Sequence, residues 1–333
     1  MFEDFFKERN LPNYKLKQLN EQYYKNPINS WDELTTWSKD MRKEISSRFP
    51  FSKLNEESIL DSSDRRSKKV LFLTKEGFPV ETVLMKSKER NTVCVSCMSG
   101  CPVGCTFCAT GRMGFNKALD TQEIIDQVMY FKRELFPKKE NISNIVFMGM
   151  GEPMLNMKNV VNAIRILTDP EKIALSPRRI TVSTVGYVEN LRKFLNMDLG
   201  VKIAVSLHAP NQKLRERIMP VVAKTNSLED LMDVLISYQK KTRKRVTYEY
   251  LLLKDINDSV DHAKELSSLL RNQIALVNLI NFNPSTDLPY SPTSKKKIEA
   301  FQSILNARGI GNTLRHSYGE DIKAACGQLA SLR

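Results

Sequence analysis

The sequence predicts an α/β protein in which a sheet of parallel strands is wrapped by helices, with a small helical domain at its N-terminus. Strand-like and helix-like segments alternate at least five times after residue 108, which is typical of a parallel sheet. Residues 1–65 instead carry apolar side chains at helical spacing and few strand signals. The sheet could be open and doubly wound, or a full or partial barrel. In either arrangement, functional residues lie at the carboxyl ends of the strands.

Three regions are predicted along the 333 residues. The helical accessory domain ends at residue 65, within a polar segment of mixed charge. Residues 66–91 form a strand-rich connector, and residues 92–333 form the α/β domain. The predicted strands are 70–73, 80–85, 92–95, 144–148, 179–184, 201–207, 246–253, 275–282 and 312–316. The predicted helices are 121–135, 157–167, 189–194, 228–240, 260–270 and 294–307. Asp120 and Glu123 resemble a capping box at the first of these helices.

The charge balance favours an anionic partner. Lys+Arg 51 against Asp+Glu 38 gives a formal net charge of +13, which suits a nucleic acid. The basic runs 65–69, 240–245 and 295–297 either contact phosphates or are solvated ends of elements. No apolar run reaches the length of a membrane span, and residues 1–9 lack a signal-peptide core. We therefore expect a cytoplasmic protein without membrane contact. We also expect the protein to be a monomer.

Five of the 6 cysteines lie between positions 94 and 108, which in a reducing compartment indicates metal ligation or thiol chemistry. Cys101, Cys105 and Cys108 have the spacing C-x3-C-x2-C. Three thiolates on one tight loop can each hold one iron of a 4Fe–4S cluster and leave the fourth iron open. A radical S-adenosylmethionine (SAM) enzyme uses such an open iron to chelate SAM, and one electron then releases a 5′-deoxyadenosyl radical. The spacing therefore predicts a radical SAM site.

The same cysteines permit a zinc site. Cys94 and Cys97 form one CxxC pair, and Cys105 and Cys108 form a second, as in structural zinc sites. The two pairs are close together for a zinc ribbon, and Cys101 would be left unused. A zinc-stabilised RNA-binding protein without catalysis is therefore the alternative from another class.

A glycine-rich turn follows the strand predicted at 144–148. Residues 147–153 read FMGMGEP, in which glycines allow close approach of the backbone to a ligand. Glu152 could accept hydrogen bonds from the amino group of SAM. The segment could equally form a plain turn, but its position one helix after the cysteines favours SAM binding.

Five segments together carry a family resemblance. They are residues 101–115 (CPVGCTFCATGRMGF), 148–156 (MGMGEPMLN), 178–184 (RRITVST), 206–210 (SLHAP) and 321–330 (DIKAACGQLA). Through them the chain resembles the radical SAM RNA methyltransferases of the RlmN/Cfr family over roughly residues 80–330. The resemblance implies a partial (βα)6 TIM-like barrel that methylates an adenine ring carbon in 23S rRNA, near the peptidyl transferase centre. The RlmN branch methylates C2, and some members also act on tRNA. The Cfr branch methylates C8 and confers antibiotic resistance.

The resemblance also implies roles for individual residues. Cys326 would carry a methyl group taken from a first SAM, and the radical from a second SAM would activate that methyl for addition to the adenine. Cys94 would then release the RNA by forming a disulfide with Cys326, and Glu81 would accept a proton. The implied SAM contacts are Gly151, Glu152, Ser183, Ser206, Leu207, His208 and Asn283. Without the motifs around them, Cys94 and Cys326 would be interpreted as ordinary buried thiols.

The implied partners are 23S rRNA, tRNA as a second substrate, and an electron donor such as flavodoxin or ferredoxin. Two departures from the family pattern are Cys97, where serine is common, and Met98, where glutamine is common. The Gly-Glu-Pro at 151–153 resembles the C2 branch, whereas residues 168–170 and 175–179 also resemble C8-branch members. C2 methylation is therefore the prediction, and C8 methylation is its alternative.

Overall fold

A computed structural model describes residues 2–88, 90–284, 288–315 and 319–329. Its N-terminal part contains the helices α1 (Glu3–Glu8), α2 (Asn13–Asn20) and α3 (Lys39–Arg48). A π-helical turn, Glu21–Lys25, extends α2, and a 3-10 turn covers Trp31–Glu33. These short polar helices are held by aromatic rings in edge-on and stacked contact, of which Phe2, Tyr23 and Trp31 are buried and Phe49 and Phe51 are half-buried.

The strands form one ten-stranded sheet and one two-stranded sheet. Their bounds are β1 (Asn55–Asp61), β2 (Ser67–Leu73), β3 (Pro79–Ser87), β4 (Arg90–Val95), β5 (Met98–Gly100), β6 (Phe115–Ala118), β7 (Asn144–Phe147), β8 (Ile180–Thr184), β9 (Lys202–Ser206), β10 (Val246–Leu252), β11 (Ala275–Asn281) and β12 (Gly311–Arg315). The large sheet has the order β1-β2-β3-β4-β7-β8-β9-β10-β11-β12, and β5 pairs with β6. Pairing is antiparallel from β1 to β4 and parallel from β4 to β12.

The helices after the cysteine loop connect successive parallel strands. Their bounds are α4 (Ala109–Arg112), α5 (Thr121–Leu135), α6 (Met157–Thr168), α7 (Val188–Asn196), α8 (Gln212–Ile218), α9 (Pro220–Thr225), α10 (Leu228–Thr242), α11 (Val260–Leu269) and α12 (Lys295–Ala307). Six strand-to-helix units therefore run from β4 to α12, and β12 adds a seventh parallel strand. Because the strand order of the described residues ends at β1 and β12 without closing, the architecture is a partial barrel.

The amphipathic elements predicted from sequence are confirmed. Helix α5 begins at Thr121 and ends at Leu135 as expected, and Asp120 and Glu123 form the capping box through two reciprocal hydrogen bonds. The last predicted strand is confirmed as Gly311–Arg315, while His316 lies outside the described residues. The short elements α4, α8, α9, β5 and β6 were not predicted, because four to seven residues, or three in β5, carry little periodicity.

The prediction of helical character up to residue 65 is wrong at its end. Residues 55–61 form strand β1, which pairs with β2 in an antiparallel hairpin. Every residue of β1 is exposed, so its sequence lacks the alternation of apolar and polar residues that marks a strand with one buried face. Backbone pairing with β2 forms it instead. The predicted domain boundary at residue 65 falls in the turn of this hairpin and stays a prediction. Within the residues described, no helix is both long and apolar enough to cross a membrane.

Candidate active site

A cavity opens where the parallel strands end, which is where the sequence placed the functional residues. The space between its walls, counted together with the part open to solvent, is about 870 Å³. Its lining consists of Cys101, Val103, Cys105, Phe107, Cys108, Thr110, Phe147, Met148, Gly149, Gly151, Glu152, Ser183, Thr184, Val185, Ser206, His208, Glu249, Leu251, Ile280, Arg315, Cys326 and Gly327. The cysteine loop, the strand ends and the C-terminal segment therefore meet around one space.

The three cysteines of the C-x3-C-x2-C spacing all line this cavity. Burial raises the pKa of Cys101 to about 12. Burial also raises the pKa of Cys105 and Cys108, and the negative charge of neighbouring cysteines raises both further. Buried thiols of this kind stay protonated until a metal ion displaces the proton. Three converging thiols beside an open cavity fit a 4Fe–4S cluster with one iron left for SAM.

The zinc grouping of four cysteines is not formed. Cys97 is buried in the main hydrophobic core and is absent from the cavity lining, whereas Cys94 packs with Met150, Ala324 and other side chains in a separate cluster. The cysteine arrangement therefore favours the cluster over a structural zinc ion.

Glu152 is held at the cavity wall by three hydrogen bonds. Its Oε1 accepts from the Thr184 hydroxyl at 2.5 Å and from the Met154 backbone N–H at 3.0 Å, and its Oε2 accepts from the Val185 N–H at 2.9 Å. Burial raises the pKa of this carboxyl to about 7 despite these donors. The preceding Gly151 has φ +100°, and a Cβ there would lie 2.6 Å from the Met98 side chain. Only glycine fits this turn.

The remaining predicted SAM contacts divide into two groups. Ser183 and Ser206, at the ends of β8 and β9, line the cavity with hydroxyls 3.3 Å apart, and His208 lines it beside the Phe107 ring. Leu207 is buried in the main core, and the Asn283 amide donates to the Cys326 carbonyl at 3.5 Å; neither residue is part of the cavity lining.

His208 is held neutral. Its Nδ1 accepts the Leu251 backbone N–H at 3.0 Å, so Nε2 carries the ring proton. Burial, helped by the positive charge of Arg215, lowers the His208 pKa to about 3. Its φ of 55° is unusual for a residue other than glycine, and the Asn257 amide donates to its carbonyl at 2.8 Å. Across the neutral pH range, this ring is a hydrogen-bond donor and not a cation.

The C-terminal segment brings Cys326 to the cavity, and Cys94 lies behind it. Cys326 is partly exposed and lines the cavity, whereas Cys94 on β4 is buried. Burial, with an added contribution from Cys326, raises the Cys94 pKa to about 12, and Arg315 opposes the rise. All 6 cysteines are free thiols, so the implied Cys94–Cys326 disulfide is not present in this state. Ala330, the last residue of the C-terminal motif, lies outside the described residues.

Glu81 lies apart from the cavity that holds Cys326. Its carboxylate forms a buried ion pair with Lys69 at 3.1 Å, and it lines a second cavity between the β1–β2 hairpin and residues 321–323. Glu81 is two residues from Val83, which pairs with Cys94 across β3 and β4. It is thus near Cys94 along the sheet.

Two charged residues of the cavity wall were not predicted from sequence. Glu249 on β10 accepts from the Asn278 amide at 3.0 Å, and burial raises its pKa. Arg315 ends β12, and its pKa is raised chiefly by Cys326, with smaller contributions from Glu249 and Cys94. Each is an isolated polar residue in an apolar strand or at a strand end, so periodicity carries no signal for it. A listing of every charged residue within the predicted strands 246–253 and 312–316 would have included both.

The cysteine loop and Glu152 at the mouth of a partial barrel define a radical SAM enzyme, and residues 95–266 match the model of the Radical SAM superfamily. A radical SAM methyltransferase from Sphaerobacter thermophilus, known from a crystal structure, has a TM-score of 0.95 and 39% identity. The match covers 98% of this chain and 95% of that one.

Two curated relatives extend the comparison. The probable dual-specificity RNA methyltransferase RlmN of Dictyoglomus thermophilum is 42% identical over 96% of this chain and 91% of its own length. The dual-specificity RNA methyltransferase RlmN of Nitratidesulfovibrio vulgaris (Miyazaki F) is 43% identical over 96% of this chain and 88% of its own. The chain belongs to the RlmN family of radical SAM RNA methyltransferases, whose superfamily chemistry uses a 4Fe–4S cluster and SAM.

Proposed function

We propose that this protein methylates C2 of an adenosine in 23S rRNA at the peptidyl transferase centre, and an adenosine of tRNA as a second substrate. The observation that carries the proposal is the single cavity shared by the three-cysteine loop, Glu152 and Cys326. A radical source and a methyl carrier must lie within reach of one another, and this cavity brings their residues together. The dual-specificity names of the relatives support the two RNA classes, and the RlmN name favours C2 over C8.

The carbon to be methylated explains why a cysteine is needed. C2 of adenine is an electron-poor amidine carbon and cannot attack a sulfonium methyl group as a nucleophile. The Cys326 sulfur can accept that methyl by ordinary displacement, and its partial exposure leaves it accessible to SAM. A 4Fe–4S cluster on Cys101, Cys105 and Cys108 would supply the electron that cleaves a second SAM. An electron donor such as flavodoxin or ferredoxin would provide that electron.

The later steps fall to residues near Cys326. Addition of the methylene radical carbon to C2 leaves the RNA bonded to Cys326 as a radical adduct, which would return one electron to the oxidised cluster. The C2 hydrogen then leaves as a proton. The Cys94 thiolate attacks the Cys326 sulfur and forms a disulfide, and the methylene carbon leaves with the electron pair of the carbon–sulfur bond and takes up a proton to complete the methyl group. Arg315, beside both sulfurs, favours the thiolate form of Cys94. Glu81 is proposed as the proton acceptor, and its position two residues from the Cys94 partner Val83 is compatible with that role.

The first test is the mass of the peptide that contains Cys326, from protein expressed with iron and purified anaerobically. We expect a peptide one methylene unit heavier, with the extra mass on the cysteine. An unmodified Cys326 in protein that holds a cluster and has been exposed to SAM would contradict the methyl-carrier role.

Two cysteine variants test the order of steps. Cys326→Ala should abolish methyl transfer, and Cys94→Ala should accumulate a covalent RNA adduct that resists denaturation. Cys97→Ser is the matched control, since Cys97 is buried in the core and is not part of the cavity lining, and its variant should turn over. Normal turnover by Cys326→Ala or Cys94→Ala would refute the mechanism, and methyl groups mapped to C8 would refute the ring position.

A further inference from the structure

Arg215 is a fully buried cation that none of the steps above uses. It lies on helix α8 with 0% of its surface exposed. Its guanidinium donates to two backbone carbonyls, that of Asn226 at 2.7 Å and that of Val185 at 2.8 Å, while its Nε has no partner among the described residues. Among those residues, no carboxylate forms an ion pair with it. A buried charge without a counter-charge is costly, so an anion is expected nearby in the working enzyme.

Helix α8 is hydrogen-bonded to the cysteine loop and packs against it. The carbonyl of Ile218, at the end of α8, accepts from both the Thr106 N–H at 3.0 Å and the Thr106 hydroxyl at 3.2 Å. Leu214 and Ile218 pack in the same hydrophobic cluster as Cys105. The electrostatic influence is mutual: Arg215 acts to lower the Cys105 pKa, and Cys105 acts to raise that of Arg215, although burial dominates at both groups. Arg215 is therefore buried next to the cysteine loop, where its charge acts on Cys105.

The neighbouring group that becomes anionic is the thiolate-bound cluster, and one electron adds a further negative charge to it. We propose that Arg215 is the counter-cation of this cluster and stabilises its reduced state. Net charge and burial are among the properties that set the reduction potential of a cluster, and a permanent positive charge in a dry site raises it. Arg215 is thus a positioning and tuning residue of the radical-generating step. The inference rests on the proposed assignment of the cluster to Cys101, Cys105 and Cys108.

The test measures the midpoint potential of the cluster in the full-length protein, reconstituted anaerobically with iron and sulfide. A one-electron reductant, titanium(III) citrate, donates the electron, and electron paramagnetic resonance reports the reduced cluster without SAM or RNA. Iron and sulfide content is measured for every variant. We expect Arg215→Gln and Arg215→Met to have lower midpoint potentials than wild type. At a fixed reductant potential, the ratio of reduced to oxidised cluster should fall by on the order of tenfold.

Two further variants separate charge from structure. Arg215→Lys keeps the charge and should stay close to the wild-type potential. Arg217→Gln, on the same helix but exposed, removes the same charge and should leave the potential unchanged. Arg215→Met supplies the measurement if Arg215→Gln fails to fold, because it buries no unpaired polar group.

The possible failures can be told apart. Wild-type potentials in Arg215→Gln and Arg215→Met at full iron content would overturn this inference alone, as would an equal shift in Arg217→Gln. Wild-type protein that assembles no 4Fe–4S cluster would overturn the proposed function together with the inference.

Discussion

Glu152 is a buried carboxyl whose three hydrogen-bond donors do not fully offset the loss of water around it. Its pKa of about 7 means that the folded protein holds this proton more tightly than the unfolded chain does. The stabilisation from this proton is complete below pH ~4.5 and is lost as pH rises to about 7. His208 has its pKa lowered from 6.5 to about 3, so between these pH values the unfolded chain binds a proton that the folded protein does not. The contribution of His208 to stability therefore falls as pH falls, which is opposite to the effect of Glu152.

The difference between wild type and Glu152→Gln isolates the carboxyl, since His208 is present in both. Between pH ~4.5 and ~7, wild type should lose about 3 kcal/mol of stability relative to the variant. Urea unfolding of the metal-free protein across this pH range measures the loss. Glu171→Gln, at an exposed glutamate, serves as the control and should follow wild type. A constant difference between wild type and Glu152→Gln across the range would contradict the raised pKa.

How far sequence can predict a residue's role depends on whether it stands in a motif. Cys101, Cys105, Cys108, Glu152 and Cys326 stand in recognisable spacings, and the structure brings all of them to one cavity. Arg315, Glu249 and Arg215 reach the same region from β12, β10 and α8, which are distant in sequence. Their roles arise from how the elements pack, so neither spacing nor periodicity along the chain could indicate them.

At the scale of elements, prediction succeeded where one face is apolar and failed where none is. Helix α5 and strands such as β7 and β9 bury apolar side chains and were located correctly. Strand β1 is exposed throughout, and only its pairing with β2 gives it structure. The hairpin of β1 and β2 then contacts the C-terminal segment: the Ser63 N–H donates to Asp321 at 2.8 Å, and Lys69 Nζ donates to the Lys323 carbonyl at 3.2 Å.

The buried ion pair between Lys69 and Glu81 lies beside the contact between the β1–β2 hairpin and the C-terminal segment. Breaking this pair should lower the free energy of unfolding. Lys69→Met removes the lysine cation from the buried ion pair with Glu81 and should destabilise the protein by about 3 kcal/mol. Adding Glu81→Gln should recover most of that loss, because the buried charge is then gone as well. Chemical unfolding of the single and double variants measures both effects.

Two readouts separate this buried pair from an ordinary surface pair. Lys86→Met breaks the more exposed pair with Glu140 and should cost less than about 1 kcal/mol. Hydrogen exchange in residues 319–329 should rise in Lys69→Met and not in Lys86→Met. Equal unfolding free energies for the two variants would contradict a structural role of the pair.

At the scale of the whole molecule, the net charge of +13 is distributed over surfaces with different uses. In the basic run 65–69, Lys69 forms a buried ion pair with Glu81, and Lys68 forms a partly exposed one with Glu134. The run 240–245 directly precedes β10, so it lies at the amino end of the parallel strands, away from the cavity. The run 295–297 begins helix α12, and hydrogen bonds between Thr293 and Asn281 hold that start against the carboxyl end of β11.

We therefore predict that RNA approaches the cavity along the start of α12 and not along the end of α10. Lys297 is engaged by Asp255 and Asp258. Lys295 has only a long contact of 3.9 Å with Glu299, and it and Lys296 are exposed, so both can contact phosphates. The double variant Lys295→Gln/Lys296→Gln should bind an rRNA fragment more weakly. It should also lower the slope of log affinity against log salt by about 1.4 to 1.8, the value for two lost phosphate contacts. Lys240→Gln/Lys241→Gln removes the same charge at the opposite end and should keep the wild-type slope. Fluorescence anisotropy at several salt concentrations measures all three proteins, and equal slopes for the two double variants would show that RNA does not approach along α12.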